Sequence, residues 1–310
     1  MAEVICVGVA YLDYVFEADP PAAHDVTTFA HEYRQFGGGM AATASVAVSL
    51  LGGYSVLWSR LGDDEAGDRI LDGLSHRGVQ IDGIRRIRGA QSPVSSIVTG
   101  DDGIHQAVMF PGRNLDNDAG WLPLERIFDT SAVLVDPRWP DAAMAVLERA
   151  RANRIPGVLE ADIGPQPVAR ELVELASHVV FSLPGLAQFT DTTDIEAGLR
   201  KAHEATDAAL GVTAGASGFY WLDPESGETQ RIPAMDIKAI DTLGAGDVFH
   251  GAFALAVAEG KDIETAGRFA NIAAGLKCAR PGGRDAIPSR AEVWGVMEGA
   301  TRASPPAPAS

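Results

Sequence analysis

The sequence predicts an α/β fold: a mainly parallel central sheet, helices on both of its faces, and a small β lid. Three observations lead there. First, apolar runs of strand length alternate with runs of helical periodicity from residue 4 to about residue 279, the pattern of repeated β-α-β units. Second, residues 14–36 and 89–111 interrupt that alternation. Both are rich in Val, Thr, Ile, Phe and Tyr with Gly and Pro punctuation, and read as short strands that pair over one end of the sheet. Third, DTLGAGDVFHGAF (241–253) places a Gly-rich turn directly before an apolar helix. Ligands bind such sheets beyond the carboxyl ends of the strands, where turns of this kind lie.

Each element follows from its own pattern. VICVGVA (4–10) is a continuous apolar run, as expected of a strand covered on both faces. GMAATASVAVSLLG (39–52) follows three glycines and reads as a small-residue helix lying close on the sheet. YSVLWSRLG (54–62) is a strand, after which Asp63 or Asp64 caps a helix with Ile70, Leu71 and Leu74 on one face. AVLVDP (132–137) and PGVLEAD (156–162) are strands, each followed by a helix, marked by Ala143, Leu147 and Ala150 and then by Val168, Leu172 and Leu175. HVVFSL (178–183) and AALGVTAG (208–215) are strands with a helix between them, and GFYWLD and ETQRIP flank PESG as a hairpin. Helices over 247–259 and about 262–279 close the core, and TRASPPAPAS (301–310) has no apolar periodicity and reads as a disordered tail. The expected organisation is a core of 1–13, 37–88 and 112–300, a lid of 14–36 and 89–111, and that tail.

Composition narrows the partners. The chain has 310 residues and a formal net charge of −17. An acidic surface repels nucleic-acid phosphate and anionic lipid, so neither is an expected partner, and an anionic substrate would need local basic residues. Cys6 and Cys278 lie far apart in apolar surroundings and read as buried free thiols. The start, MAEVICVGVAYLD, has no basic segment before its apolar run and no cleavage site after it, which reads as a buried strand and a cytoplasmic protein. No apolar run reaches membrane-spanning length.

The chemistry concentrates at 241–253. Gly244, Ala245 and Gly246 leave backbone N–H groups free to crowd an anion, and a helix start adds unpaired donors and a positive dipole end. Asp247 is then an acid beside an anion site, a costly placement whose use is to take a proton from a hydroxyl that attacks phosphorus. A tight turn with Asp247 as an N-cap would leave the same local pattern.

Four segments in order decide between these. DTLGAGD, FGGGMAATASVAVSLLG, VTAGASG and KCARPGGRDAIP resemble signatures of the ribokinase-like (PfkB) carbohydrate kinases over nearly the whole chain. Within that family VDPRWPD, VVFSLPGLAQFT, GAGDVFHGA and KCARPGGRDAIP most resemble the sulfofructose kinase branch. The resemblance implies a ribokinase-like three-layer sandwich, ATP and Mg²⁺, a monovalent cation such as K⁺, and a homodimer formed through the lid. It implies Asp247 as catalytic base, with the amides of Gly244, Ala245 and Gly246 holding the transferred phosphoryl group. Asp241 would help hold the monovalent cation, to which Gly282 and Gly283 would offer carbonyls. Asp13, read as ending the first strand, would grip sugar hydroxyls, and Gly37, Gly38 and Gly39 would let backbone approach the sugar and hinge the lid. Ser182, Thr213, Gly215 and Gly218 fall at the ATP phosphates and ribose, and Ala273, Ala274 and Lys277 at the adenine. Arg138, after the strand AVLVDP, would fork onto a sulfonate or phosphate of the substrate or else make a surface ion pair, with Arg113 as a second candidate.

The chain also departs from the family. The Asn-x-x-Glu motif that organises magnesium waters is here Ser182-Leu183-Pro184-Gly185, without the glutamate. Thr43 stands near the place of an asparagine that holds ribose. Thr27 and Met109 stand where a lid lysine and asparagine would complete a sulfonate pocket. The expected function is ATP-dependent phosphorylation of a ketose hydroxymethyl group, with 6-deoxy-6-sulfofructose as the first substrate. A fructokinase-like or nucleoside kinase, or a non-catalytic sugar or nucleotide sensor on the same fold, are the alternatives.

Overall fold

The computed structural model describes residues 1–18, 27–100 and 105–303. Its centre is set by strands whose side chains alternate between two apolar layers. In β1 (Glu3–Val7), Val4 and Cys6 enter one core while Ile5 and Val7 enter the other, all fully buried. After β1 the chain runs through β2 (Tyr11–Glu17) and β3 (Glu32–Gly38) into α1 (Met40–Leu50). Then follow β4 (Tyr54–Gly62), α2 (Glu65–Ser75), β5 (Ile84–Ile87), β6 (Val94–Thr99) and β7 (His105–Phe110). The second half alternates: β8 (Ala132–Val135), α3 (Pro140–Ala152), β9 (Gly157–Ala161), α4 (Gln166–Leu175), β10 (His178–Ser182). It continues with α5 (Leu183–Thr190), α6 (Ile195–His203), β11 (Ala209–Thr213) and the hairpin β12 (Phe219–Leu222) and β13 (Thr229–Ile232). The last elements are α7 (Ala245–Ala258), α8 (Ile263–Cys278) and α9 (Arg290–Ala303).

The main sheet has the order β13-β12-β11-β10-β9-β8-β1-β4-β5, parallel from β11 to β5 with the β12–β13 hairpin antiparallel at its far edge. Side chains of α1, α7 and α8 fill the core on one face, and those of α3, α4, α5 and α6 the core on the other. The α1–α7 crossing needs glycine, because a Cβ on Gly251 would press on the Ala44 backbone. The lid is a separate sheet, β3-β2-β6-β7, in which β2 runs antiparallel to β3 and parallel to β6. That register sets Asp13 opposite Ser95 and Phe36.

Several expectations shift. The lid sheet begins at Tyr11 and ends its second strand at Gly38, so Asp13 sits inside a lid strand and not at the end of the first strand. The run 4–10 is broken at Gly8, where a Cβ would overlap the Asp136 carboxyl. Two helices, α5 and α6, stand where one was expected, and Asp191 in the left-handed region caps the first. Strand β5 and helix α9 were not anticipated: IRRI is a polar edge strand, and α9 (RAEVWGVMEGATRA) mixes charged residues and glycines with a short apolar set, of which Val293 is fully buried. Helix α9 runs to Ala303, past the expected start of the tail, while 304–310, 19–26 and 101–104 lie outside the described residues. Among the described residues no helix is long and apolar enough to cross a membrane, and both cysteines are free thiols.

Candidate active site

The Gly-rich turn forms because Gly244 takes a left-handed conformation (φ 73°) and starts α7 with no side-chain cap. The Ala245 N–H is spent on the Thr242 carbonyl at 3.2 Å, so it is not a free donor as expected. Gly246 and Asp247, next along the first turn, have no i−4 carbonyl within the helix. A Cβ built on Gly246 would meet nothing within 4 Å, so open space lies beside Gly246. Asp247 is the third residue of α7 and not its cap.

Asp247 lines a cavity of about 30 Å³ together with Asp13, Phe36, Thr43, Gly244 and Arg284. Burial, and then the neighbouring Glu160 carboxylate, push its pKa well above the ordinary carboxylate value. Glu160 projects from β9 and is 3% exposed. Its Oε1 lies 3.2 Å from Nδ1 of His250, one turn along α7 from Asp247. The His250 ring also faces the Gly246 carbonyl through Nδ1 (2.7 Å) and the Val180 carbonyl through Nε2 (3.1 Å). Oxygens at both nitrogens favour the imidazolium. Burial would push its pKa down, but Glu160 and the two carbonyls outweigh burial and hold it up at about 9.

Across the cavity Asp13 accepts a hydrogen bond from Ser95 Oγ at 2.6 Å, and burial raises its pKa against the pull of Ser95 and Arg284. Arg284, 4% exposed, donates Nη2 to the Gly38 carbonyl at 2.7 Å and both Nε and Nη2 to Thr43 Oγ1 at 3.1 Å. Burial lowers its pKa to about 10, against Asp13 and Asp247. It offsets the charge of Asp13 and, together with the His250 imidazolium, that of Asp247. Glycine is required at 37 and 38 for this reason: a Cβ on Gly37 would overlap the Arg284 guanidinium, and one on Gly38 the Asp13 carboxyl. These glycines therefore admit two side chains to the site; Gly39 (φ 95°) turns the chain into α1. Thr43 serves the site through Arg284.

The carboxyl edge of the main sheet carries the remaining polar groups. Asp136, fully buried after β8, accepts from the amides of Val9 (2.8 Å), Ala41 (3.1 Å) and Arg138 (2.9 Å). It ties β8, the β1–β2 turn and the start of α1 together, and burial pushes its pKa to about 6 against those amides. Arg138 is 45% exposed and pairs with Asp162 at 3.2 Å, so its guanidinium already has an anion. Asp162 also accepts from Ser182 Oγ at 2.7 Å, and Ser182 caps α5 by accepting from Gly185 N–H. Arg113 is exposed and pairs its backbone with Gln91. Thr27 is exposed, and Met109 is exposed on the lid edge strand.

Thr213 ends β11, and the following Gly215 and Gly218 are both left-handed (φ 53° and 95°). Gly215 faces open space, whereas a Cβ on Gly218 would overlap the Ile232 carbonyl. Ala273 is a correction: it is fully buried in the core and presents no side-chain surface to a nucleotide, unlike the half-buried Ala274. Lys277 is another. Its ammonium, 1% exposed, turns inward onto the Asp241 carbonyl (2.9 Å), the Leu243 carbonyl (2.6 Å) and Asp241 Oδ1 (3.1 Å). Burial opposes the Asp241 charge, but Lys277 and the amides of Gly283 and Leu243 hold its pKa low. A monovalent cation on Asp241 does not fit this arrangement, since the Lys277 ammonium occupies that ligand set. Beyond this loop a cleft of about 630 Å³ opens between it and the lid, lined by Arg34, Phe36, Thr242, Leu243 and Gly282 among others.

Arg284, Glu160, His250 and Asp136 were missed as site residues. A signal existed for each: a histidine inside the apolar helix AGDVFHGAFALAVA, a glutamate inside the apolar strand GVLEA, an arginine within KCARPGGRDAIP and an aspartate within AVLVDP. Charged residues within apolar runs are rarely buried unless paired.

Comparison with known proteins is consistent with this geometry. The family described as pfkB family carbohydrate kinase matches residues 1–290. The ribokinase of Bacillus subtilis (strain 168) is 29% identical over 300 residues, covering 94% of this chain and 98% of that protein. The crystal structure of a candidate ribokinase from Agrobacterium tumefaciens superposes with a TM-score of 0.92 at 36% identity, covering 98% of this chain and 99% of that one. The Arabidopsis thaliana ribokinase complexed with ribose and ATP shares the fold, with a TM-score of 0.83 at 23% identity over 96% of this chain and 98% of that one.

Proposed function

Since this chain belongs to the pfkB family of carbohydrate kinases, phosphotransferases with an alcohol acceptor, we propose that it moves the γ-phosphoryl group of ATP onto a sugar hydroxymethyl group held between Asp13 and Asp247. The observation that carries this is the shared cavity: a base with a raised pKa, open first-turn amides beside it, and a second carboxylate facing them. Asp13, oriented by Ser95, accepts from sugar hydroxyls. Asp247 takes the proton of the attacking hydroxyl at its carboxylate oxygen; a raised pKa makes it the stronger base. The Gly246 and Asp247 amides and the α7 dipole stabilise the charge that grows on the phosphoryl oxygens. ATP approaches along the cleft between lid and Gly-rich loop, towards Thr213, Gly215 and Ala274.

Magnesium brought with ATP would supply charge neutralisation on the transferred group. Among the described residues no group of three or more His, Cys, Asp and Glu could hold a metal by itself, which suits an ion held mainly by phosphate and water. Asp162, fixed by Ser182 and Arg138, is the acid at the sheet edge that would reach its waters.

The related proteins named above are ribokinases, which supports a pentose. The segments VDPRWPD and KCARPGGRDAIP, which resemble the sulfofructose kinase branch, support a ketose with an anionic end, of which 6-deoxy-6-sulfofructose is the first to try; Arg138 would meet that end by exchanging Asp162 for it. The lid's exposed Tyr33, Val108 and Met109 support a homodimer through the lid. The deciding assay is magnesium-dependent ADP release with ribose, fructose, 6-deoxy-6-sulfofructose and a nucleoside. Turnover with at least one acceptor is expected, and binding of sugar and ATP without turnover of any would favour a sensor. In the same panel Arg138→Met separates anionic from neutral acceptors: equal loss on both removes Arg138 as an anion clamp.

A further inference from the structure

The loop that presents the phosphoryl-binding amides is held by a buried ammonium from another helix. Lys277 lies in the last turn of α8, is 1% exposed, and spends its three N–H groups on the Asp241 carbonyl, the Leu243 carbonyl and Asp241 Oδ1 at 2.9, 2.6 and 3.1 Å. A pair of main-chain carbonyls and a carboxylate converging on one point is the ligand set of a hard monovalent cation. Here the chain supplies the positive charge itself. From this geometry we infer that Lys277 is a built-in monovalent cation: it positions the anion-binding loop permanently and makes phosphoryl transfer independent of K⁺, Na⁺ or NH₄⁺. The inference deepens the kinase reading above and rests on it for the turnover arm of its test.

The physical consequence follows from peptide geometry. A trans peptide points its C=O and N–H in opposite directions. Drawing the Leu243 carbonyl onto Lys277 therefore turns the Gly244 N–H to the other side, and drawing the Asp241 carbonyl does the same for the Thr242 N–H. The loop is then pinned from the side of α8. Cys278, next to Lys277, accepts from the Ile240 and Asp241 amides at 2.8 and 3.2 Å, and Asp241 Oδ2 accepts from Gly283 at 3.0 Å. A diffusible cation would supply the same charge only while bound. A tethered one is present at all times and costs no binding step. Lys277 acts through the loop, so it is a positioning residue.

The test uses the full chain in solutions of constant ionic strength balanced with tetramethylammonium chloride, too large for the site. For the native protein, ADP release with the accepted sugar should change by less than about twofold when K⁺, Na⁺ or NH₄⁺ replaces tetramethylammonium. Its thermal midpoint should not depend on which of these is present. Lys277→Ala vacates the ligand set; it should lose about 10²–10³-fold in kcat, the scale for losing an organised oxyanion donor. K⁺ or NH₄⁺ should restore part of that rate and raise the variant's midpoint saturably, whereas Lys277→Met, which fills the space without charge, should respond to neither. A tenfold stimulation of the native enzyme by K⁺, or a saturable K⁺-specific rise of its midpoint, overturns the inference. So does a folded Lys277→Ala that is fully active without any small cation. If Lys277→Ala does not fold, the two native-protein measurements decide. If no sugar is phosphorylated in any salt, the kinase reading fails, and the midpoint measurements still decide the role of Lys277.

Discussion

Asp247→Asn separates catalysis from folding at this site. Asp247 stands in the first turn of α7 with its carboxylate beside Glu160, and both lie within reach of His250. As general base it should contribute about 10²–10⁴-fold to the rate, or about 3–5 kcal/mol of barrier at 1.36 kcal/mol per decade. Asparagine keeps the volume and the N–H cradle but cannot take a proton, so kcat should fall by that factor. Stability should move the other way. Glu160 Oε2 is buried with no hydrogen-bond partner; an amide at 247 removes one negative charge from its neighbourhood and brings a donor towards it. Relief of a buried like-charge contact is worth on the order of 1 kcal/mol or more, which in a domain of this size raises the thermal midpoint by a few degrees. The assay is coupled ADP release at saturating sugar, with ADP affinity measured by calorimetry and the midpoint by scanning calorimetry at pH 8. The expected result is loss of turnover, unchanged ADP affinity and a midpoint at or above native. A variant that keeps more than about a tenth of native kcat would refute the base assignment. One that unfolds tens of degrees early would refute the account of the Glu160 environment.

The other predictions concern the surroundings. Gly38→Ala sets a methyl on the Asp13 carboxyl, so KM for the sugar should rise at least about tenfold with ADP affinity unchanged; an unaltered KM would show that Asp13 does not bind sugar. kcat/KM should fall with decreasing pH through a midpoint above the ordinary carboxylate range, because Asp247 must be deprotonated and its pKa is raised; a profile flat down to pH 5 contradicts this. The His250 pKa is raised from 6.5 to about 9, so its stabilisation is complete below pH 6.5 and lost as pH rises through about 9. That is on the order of 3 kcal/mol, read as a native-minus-His250→Gln midpoint difference that shrinks between pH 6 and 10. Asp136→Ala strips three amides of their acceptor at roughly 1–3 kcal/mol each, and a midpoint within a few degrees of native would show that Asp136 does not hold the edge together.

The elements of the main sheet were readable because burial on both faces leaves continuous apolar runs such as VICV and AVLV, and because each helix repeats its apolar residues on one face. The edge was not: IRRI pairs on one side only, and carries too few apolar residues to register as a strand. The lid was located but misframed, since Tyr11 and Leu12 continue the apolar character of the first strand and a lone glycine, Gly8, is all that marks the bend locally. Only the packing of the Asp136 carboxyl against Gly8 shows why the chain turns there. In the site, Asp247 and Gly244 were legible because turn chemistry is local, whereas the reason for Gly37 and Gly38 was not, because Arg284 and Asp13 reach them from distant parts of the chain.

By itself, the order of residues determined the layered α/β architecture, the Gly-rich turn and the acid beside it, since hydrophobic periodicity and backbone freedom are properties of neighbouring residues. Tertiary structure alone decided which charges meet: that Arg284 lies near Asp13 and Asp247, that His250 and Glu160 lie behind Asp247, that Arg138 is already paired, and that Lys277 turns into the Gly-rich loop. Electrostatic partnership is a matter of distance through space and of burial, and residues more than two hundred positions apart acquire both only when the sheet and its helices have closed around them.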